Sequence, residues 1–272
     1  MEAIFADYSV QMHLFAFALG MTRLMAFGIV SPFLGNHVLD VMTRSSVLTA
    51  LYLIVHPLVL SQIPADLFPL TSASSVYVGA LVFKEVFIGL VIGFLASLVF
   101  WAVESAGFFI DNQRGASMAT EVDPLSGSQT SPVGSLFFQS ATYVFYSTGM
   151  FLTFMGIVYG TYVVWPVCEF LPVELFTNGS AALFFGKCLS NLFMSMMLLA
   201  APVVLCCLFT DMALGLVNRF APQLNVFILS LPIKSALAAL LLIFYFSIFT
   251  SQLPERFGLF SVDLSAFRNL TP

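Results

Sequence analysis

The amino-acid sequence predicts an all-α membrane protein with about six long, kinked apolar helical segments. Two observations support this fold class. Hydrophobic residues make up 60% of the 272 positions and charged residues only 8%, whereas an ordinary soluble domain has about 25% charged residues. Runs of about 18 or more apolar residues with few charges also recur along the chain, and such runs are typical of membrane-spanning helices.

We expect a single membrane domain over residues 1–272, in which six apolar blocks can be marked. The block 133–168 has no charged residue and would be about 54 Å long as one helix, against a hydrocarbon core of roughly 30 Å. It should therefore either turn back on itself near Gly156 and Gly160 or project out of the bilayer. The six blocks span residues 14–34, 46–63, 76–103, 133–168, 188–210 and 220–253.

Three prolines, Pro57, Pro202 and Pro232, lie inside apolar blocks. A proline within a helix removes a backbone hydrogen bond and bends the helix. Such breaks are tolerated at membrane depth where protein or water satisfies the freed groups. The membrane orientation stays open, because alternate crossings place Arg44, Arg114 and Arg219 on one side and Lys187, Arg256 and Arg268 on the other.

Four charged residues in or next to the first and third apolar blocks are candidate intramembrane charges. Arg23 is in the middle of the first block and should face a partner or water, because an ion inside the membrane is costly. Lys84 and Glu85 are adjacent, so we expect them on different helix faces, each with its own partner. Glu104 follows the third block. Gly89, four residues after Glu85, begins a GxxxG motif that predicts close helix packing.

A polar segment over residues 107–134 interrupts the apolar pattern with four glycines, two prolines, four serines and four charges. Glycine makes the backbone permissive, and proline stops helices. A long segment without regular structure inside a compact protein is usually functional. Non-helical backbone between membrane helices is expected to line a cavity or to be buried in protein. A pore element therefore fits these residue types better than a solvent loop does.

The sequence argues against an enzyme. The stretch "PLSGS" resembles the nucleophile motif of intramembrane serine proteases, but Pro124 replaces its first glycine and all three histidines lie in the first quarter of the chain. Asp111, Glu121 and Asp123 could supply a carboxylate pair, yet carboxylates in a Gly/Ser-rich stretch are usually solvated. We expect no cofactor, no metal and no nucleic-acid partner, because phosphate-binding loops, metal-ligand spacings and basic patches are missing.

Two stretches carry a family resemblance: "KEVFIGLVIGFLASLVFWAVESAGFFIDNQRGASMATEVDPLSGSQTSPVG" and "DMALGLVNRFAPQLNVFILSLPIK", which begin at Lys84 and Asp211. They resemble the two main motifs of the type III secretion export-apparatus T component (the SctT family), the injectisome homologue of flagellar FliR. Arg23 followed by Pro32, and Pro57, also fit. The resemblance covers essentially the whole chain and is closer to the injectisome branch.

The resemblance implies one copy of this chain in a helical hetero-oligomeric export gate with the R and S components. The U component, and beyond it the V component and inner rod, would be neighbours. The gate would conduct unfolded substrates through the bacterial inner membrane while lifted partly into the periplasm. The plug or gate loop would lie within 107–134 and include Gly107, Asp111, Asn112, Gln113, Arg114, Gly115, Met118, Glu121, Asp123, Pro124, Ser126 and Gly127. Subunit packing would involve Gly89, Gly93, Asp211, Asn218, Arg219, Pro222, Asn225, Pro232 and Lys234.

Two other function classes stay open. A stand-alone transporter of small solutes or ions would use the broken helices and the charges in the apolar blocks as a transport site. A structural assembly scaffold would tolerate changes in the polar segment. Purification separates the transporter from the export gate, since a transporter should be stable as a monomer or homo-oligomer.

Overall fold

The computed structural model describes residues 8–35, 38–64, 72–116, 131–170, 179–223 and 225–268. Within these residues the chain is helical throughout and contains no strand, which confirms the predicted all-α class. A short 3-10 helix, Pro32–Leu34, follows the first α-helix. The α-helices are α1 (Tyr8–Val30), α2 (Val41–Ser61), α3 (Ser72–Arg114), α4 (Pro132–Ser147), α5 (Met150–Val164), α6 (Ser180–Phe220) and α7 (Val226–Arg268).

The helices are those of a multi-pass membrane protein. Helices α1, α2, α3, α6 and α7 are each long and apolar enough to cross a membrane, and α4 with α5 would form a sixth, bent span. Helices α3 and α7 have 43 residues each and α6 has 41. At 1.5 Å per residue they are about 60–65 Å long, roughly twice the hydrocarbon thickness. The predicted unevenness of the spans is therefore confirmed, but the excess length lies in α3, α6 and α7 and not in the block 133–168, which divides into α4 and α5.

The charge-free block 133–168 bends, but not where the sequence suggested. The chain turns by 76° between α4 and α5, at Gly149, whose φ of +73° is a left-handed conformation that favours glycine. Gly156 and Gly160, the predicted turning points, lie inside α5. The prediction was wrong in position. A glycine ends a helix where its backbone adopts a positive φ, as at Gly149, and the two glycines inside α5 keep a negative φ.

Neither the prolines inside the apolar blocks nor the end of the third apolar block ends a helix. Helix α2 continues through Pro57, α6 through Pro202 and α7 through both Pro232 and Pro254. Helix α3 likewise continues past the end of the apolar block at residue 103. Its polar end remains amphipathic, since Val103, Ala106 and Ile110 recur at helical spacing and are fully buried.

The chain divides into two compact units, and the single-domain expectation stays a prediction. Unit 1 comprises Met1–Ser97, Phe151–Gly186 and Phe260–Pro272. In this unit two tyrosines tie α1 to its neighbours. The Tyr52 hydroxyl of α2 donates to the Ala16 carbonyl at 2.7 Å, and the Tyr162 hydroxyl of α5 donates to the Gly20 carbonyl at 2.7 Å. A buried polar group satisfied in this way stabilises one helix arrangement.

Unit 2 comprises Leu98–Met150 and Lys187–Leu259 and has an aromatic core. The Phe100 ring of α3 lies 5.4 Å from that of Phe145 and 5.2 Å from that of Phe257. Phe137 of α4 stacks on Phe249 of α7 with ring centroids 4.3 Å apart. These ring pairs join α3, α4 and α7 through geometries that aromatic side chains prefer.

The GxxxG motif packs within the chain and not between subunits. A Cβ atom added at Gly89 would overlap the Arg23 carbonyl of α1, and one at Gly93 would lie 2.9 Å from the Val30 Cβ. The two glycines therefore let α3 lie directly against α1, as the motif predicts. The expectation that they contact another subunit is corrected, because α1 of the same chain occupies the space beside them.

We expect Gly89→Ala to destabilise unit 1 by about 1–3 kcal/mol, because the new methyl group would push α3 away from the α1 backbone. Gly79→Ala is the matched control, since Gly79 lies on the same helix and a Cβ there has no neighbour within 4 Å. The heat-induced loss of helical circular dichroism of the detergent-purified protein measures both. Equal melting midpoints for the two variants would contradict the packing role.

Candidate functional site

The polar segment 107–134 is framed by two helices. Its first part, to Arg114, forms the last two turns of α3, and its end, from Pro132, forms the first turn of α4. The predicted loop is therefore shorter than its sequence boundaries. Asp111, Asn112 and Gln113, which we expected in the loop, are on α3 because helical spacing of buried residues extends to Ile110.

The two framing helices touch through glycines. A Cβ atom at Gly107 of α3 would lie 2.5 Å from both the backbone nitrogen and the Cα atom of Gly134 in α4. A Cβ atom at Gly134 would in turn meet the Ser131 hydroxyl oxygen and the Glu104 carbonyl. At Gly107 no larger residue fits without moving one helix, and at Gly134 a larger residue would displace the Ser131 hydroxyl. Gly107 thus serves close backbone packing and not flexibility.

The Asp111 carboxylate joins both ends of the segment. Its Oδ1 accepts from Arg114 Nε at 2.7 Å, and its Oδ2 accepts from the Ser131 hydroxyl at 2.6 Å and from the Val133 amide at 2.9 Å. The Ser131 hydroxyl oxygen also accepts from the Gly134 amide and so caps α4. Asp111 is only 4% exposed. The start and the end of the segment are therefore fixed to one buried anion.

Gly115 ends α3 and directs the chain out of the helix. Its φ of +84° is one that other residues rarely adopt, and a Cβ atom there would overlap Leu231 of α7. The next described residue after 116 is Ser131. Six predicted loop residues lie outside the described part of the chain, namely Met118, Glu121, Asp123, Pro124, Ser126 and Gly127.

Replacing Asp111 should release the end of the segment. In Asp111→Ala the Val133 amide and the Ser131 hydroxyl lose their acceptor, at a cost of about 1–3 kcal/mol for each buried group left unsatisfied. We expect cleavage at Glu121 by a glutamate-specific protease to accelerate by roughly tenfold or more in the solubilised protein. Asn112→Ala, one residue away and exposed, should leave the rate unchanged. The same rate in both variants would contradict the anchoring role.

A second polar site lies in unit 1, where Arg23 pairs with Glu85. The guanidinium makes a bidentate interaction with the carboxylate, in which Nε donates to Oε2 at 2.6 Å and Nη2 donates to Oε1 at 2.9 Å. Both side chains are fully buried. Nη2 also donates to the Trp165 carbonyl and Nη1 to Thr161 Oγ1. The guanidinium carbon lies 4.2 Å from the centre of the Tyr162 ring. Arg23 faces a partner, as predicted.

The prediction that Lys84 and Glu85 do not neutralise each other was wrong. Lys84 Nζ lies 2.8 Å from Glu85 Oε1, and the two side chains are 5% and 0% exposed. The Cβ atoms of adjacent residues do diverge on a helix, but the four-carbon lysine stem is long enough to bring its head group back. Glu85 therefore lies between two cations, and the Lys84 ammonium additionally contacts backbone carbonyls after α5.

Sequence reasoning missed the side chains that bind the backbone at the end of α5 and in the segment that follows it. Gln62 donates to the Tyr162 carbonyl at 2.9 Å and accepts from the Val167 amide at 3.0 Å. Tyr77 donates to the Cys168 carbonyl at 2.7 Å. The available signal was spacing, because Tyr77 precedes Lys84 by seven residues and so shares its helix face. Burial raises the pKa of the Cys168 thiol, which keeps it protonated and unreactive at neutral pH.

Most of the remaining predicted residues are exposed, on helices or in the turn between α6 and α7, whereas Lys234 is buried. The Glu104 side chain is exposed. Lys234 Nζ of α7 lies 3.0 Å from Asp211 Oδ1 of α6, and Asp211 is 44% exposed. Asn225 Oδ1 accepts from the Ile228 amide at 3.4 Å at the start of α7. The subunit-packing role stays a prediction for these residues and for the others outside the GxxxG motif, of which Asn218, Arg219, Pro222 and Pro232 are exposed.

Comparison with known proteins gives a consistent result. The family described as bacterial export proteins, family 1, matches residues 14–259. The chain is 40% identical over 239 residues to Yop proteins translocation protein T of Yersinia pestis, covering 87% of each chain. It is 33% identical to surface presentation of antigens protein SpaR of Salmonella typhimurium, over 85% of this chain and 82% of the relative. It is also 33% identical to flagellar biosynthetic protein FliR of Bacillus subtilis, over 70% and 71% respectively.

Proposed function

We propose that this chain, which belongs to family 1 of the bacterial export proteins and is a component of a type III secretion apparatus, forms part of the protein-conducting channel. In this proposal the segment 107–134 is the plug that closes the channel at rest. The family consists of export-apparatus components and not of enzymes. The resemblance of this chain to the SctT and FliR families, noted in its sequence, is confirmed by these relatives.

One observation carries the plug proposal. Residues on both sides of the central stretch 116–130 bind the same buried carboxylate, that of Asp111. Fixed ends keep a segment at one place in the apparatus, while glycine and serine in its middle allow it to be displaced. This is the combination that a plug needs, because it must seal repeatedly at one position and yet yield to a passing chain. Channels gated by constrictions follow the same physics.

The partners in this proposal are the R and S components, in an assembly that holds one copy of this chain. The U component is a neighbour, as are the V component and the inner rod. Support comes from the length and the surface of two helices. Helices α6 and α7 are each about 60 Å long, and α6 exposes large apolar side chains near both of its ends, including Leu183 and Phe220. A bilayer covers roughly 30 Å of such a helix. Protein partners would cover the remainder in the inner membrane and partly in the periplasm.

The proposed mechanism is a gate and not a motor. At rest, the plug blocks ions and small solutes. An unfolded substrate displaces the stretch between residues 116 and 130, while the Asp111 contacts keep its ends in place. The energy for transport comes from other components of the apparatus.

A stand-alone transporter is the less supported alternative. It was suggested by charged residues in apolar blocks, but Arg23, Lys84 and Glu85 bind one another and the backbone of unit 1. The intact mass of the chain co-expressed with candidate R and S components, measured in detergent, separates the two functions. A stable assembly with one copy of this chain supports the export gate, and a homogeneous species of this chain alone supports the transporter.

Crosslinking tests the plug directly. A photoreactive amino acid placed at Ser126 in the intact apparatus should crosslink to a secretion substrate that is stalled in the channel by a folded domain. Tyr143 is the matched control, because it is 74% exposed on α4 but lies outside the segment. A stalled substrate that crosslinks equally from both positions, or from neither, would contradict the plug.

A further inference from the structure

The chain segment that follows α5 has an unusual set of backbone contacts. Five consecutive carbonyl oxygens, those of residues 165–169, each accept a hydrogen bond from a side chain of another helix. Arg23 of α1 donates to the first at 2.9 Å. Tyr77 of α3 donates to the fourth at 2.7 Å. Lys84 of α3 donates to the other three.

Four oxygen atoms surround the Lys84 ammonium. Nζ lies 2.7 Å from the Pro166 carbonyl, 2.9 Å from the Val167 carbonyl, 2.9 Å from the Glu169 carbonyl and 2.8 Å from Glu85 Oε1. An ammonium has only three protons, so four oxygens at nearly equal distance resemble the coordination of an ion more than a set of separate hydrogen bonds. We call these four atoms the oxygen cage.

The size of the oxygen cage indicates which cation it fits. Ca²⁺ is bound at about 2.3–2.6 Å and Mg²⁺ at about 2.0–2.1 Å, which are shorter than the 2.7–2.9 Å found around Lys84 Nζ. Backbone carbonyls that replace a hydration shell are the ligands of K⁺ in channel filters. A large monovalent cation, either an ammonium group or K⁺, therefore matches the distances and the ligand chemistry.

The walls of the oxygen cage have supports that do not depend on Lys84. Glu85 is oriented by two bonds from Arg23. The carbonyl-bearing segment is tied to Arg23 through Trp165 and to Tyr77 through Cys168. Gln62 binds the Val167 amide. Removing the Lys84 side chain should therefore leave the four oxygens in place, together with the negative potential that they create.

We propose that the oxygen cage is a monovalent-cation site whose natural occupant is the Lys84 ammonium. Lys84 acts as a fixed structural cation that positions residues 165–169, and it does not carry protons. When the lysine is truncated, the oxygen cage binds free K⁺ or methylammonium. This assignment goes beyond the proposed export function and does not depend on the plug.

The test uses the full-length Lys84→Ala chain, purified in detergent with the components that accompany it. Its melting midpoint is measured in KCl, methylammonium chloride and choline chloride at equal ionic strength. We expect saturable stabilisation by K⁺ and by methylammonium of roughly 5 °C relative to choline. The wild-type chain, and Lys84→Met, whose side chain fills the oxygen cage, should show no difference between the salts.

Several outcomes would overturn the proposal. Lys84→Ala could melt at the same temperature in all three salts, or respond to methylammonium but not to K⁺. Should Lys84→Ala not assemble, Lys84→Ser is the second variant, because its hydroxyl adds an oxygen ligand. Failure of both to assemble in K⁺-rich cells also counts against the proposal, since a competent site would be filled there.

Secretion separates a structural cation from a proton carrier. Cells that contain K⁺ and express Lys84→Ala should secrete with the same dependence on external pH as wild-type cells. Normal assembly with lost secretion, or with an altered pH profile, would contradict the assignment of Lys84 as a fixed cation.

Discussion

Glu85→Gln is expected to destabilise unit 1 by about 3–5 kcal/mol, the cost of removing one partner from a buried ion pair. The glutamate is fully buried and is the anion between Arg23 and Lys84. Without its charge two cations would lie together in a dry interior, and their other acceptors, the carbonyls of residues 165–169 and Thr161 Oγ1, carry no negative charge. An effect of this size approaches the whole stability of a typical domain. The variant chain should therefore fail to accumulate in the purified apparatus.

Two comparisons identify the cause of such a loss. Glu169→Gln makes the same chemical change at an exposed side chain beside the same ion cluster and should assemble normally. The double variant Arg23→Met with Glu85→Gln removes one cation together with the anion, so it should recover part of the accumulation. Assembly is measured as the amount of chain that purifies with its partner components. A Glu85→Gln chain that assembles at the wild-type level would show that the charge is not needed.

Shortening the plug is expected to make the membrane permeable to small solutes. Deletion of residues 118–127 leaves 116, 117, 128, 129 and 130 between Gly115 and Ser131, enough to span about 20 Å. The Asp111 contacts keep these ends close, so the helices should form as before. Cells that express the apparatus should then become sensitive to a toxic compound that normally does not enter, by at least roughly tenfold in concentration.

A full-length control separates loop length from loop charge. The variant with Glu121→Gln and Asp123→Asn keeps every residue position but removes the two acidic charges of the loop. We expect it to leave the membrane tight, because in the proposed function the segment blocks the channel by its length and not by its charge. A tight membrane and normal secretion in the shortened variant would remove the basis for the plug.

The sequence predicted the fold class well because apolar composition alone decides whether a helix can lie in a membrane. The approximate number of spans followed from the same pattern, but the length of α6 did not, because the apolar block 188–210 is much shorter than the 41-residue helix. Helix boundaries were less predictable. Helix α3 extends to Arg114 because amphipathic spacing continues after the apolar block ends. The bend at Gly149 depends on a left-handed backbone conformation, which the sequence does not distinguish from the helical conformation of Gly156.

The candidate site was predictable only in part, for a different reason. Sequence showed that Arg23, Lys84 and Glu85 needed partners, since a buried charge is costly. It did not show that the partners were one another and the carbonyls of residues 165–169. Every residue has a backbone carbonyl, so the sequence does not indicate which ones accept a hydrogen bond from a side chain. In the same way, Asp111 was identified as a loop residue, but its bonds to Ser131 and Val133 depend on how two helices cross.

The most direct test of the proposed function is the electrical conductance of the purified assembly in a planar bilayer. If the proposed plug is correct, the wild-type assembly should stay closed, because the segment 107–134 would block ion passage at rest. The assembly that lacks residues 118–127 should show large, persistent open events under the same voltage. If the shortened assembly remains closed while its composition matches the wild type, another part of the apparatus closes the channel and this chain is not its plug.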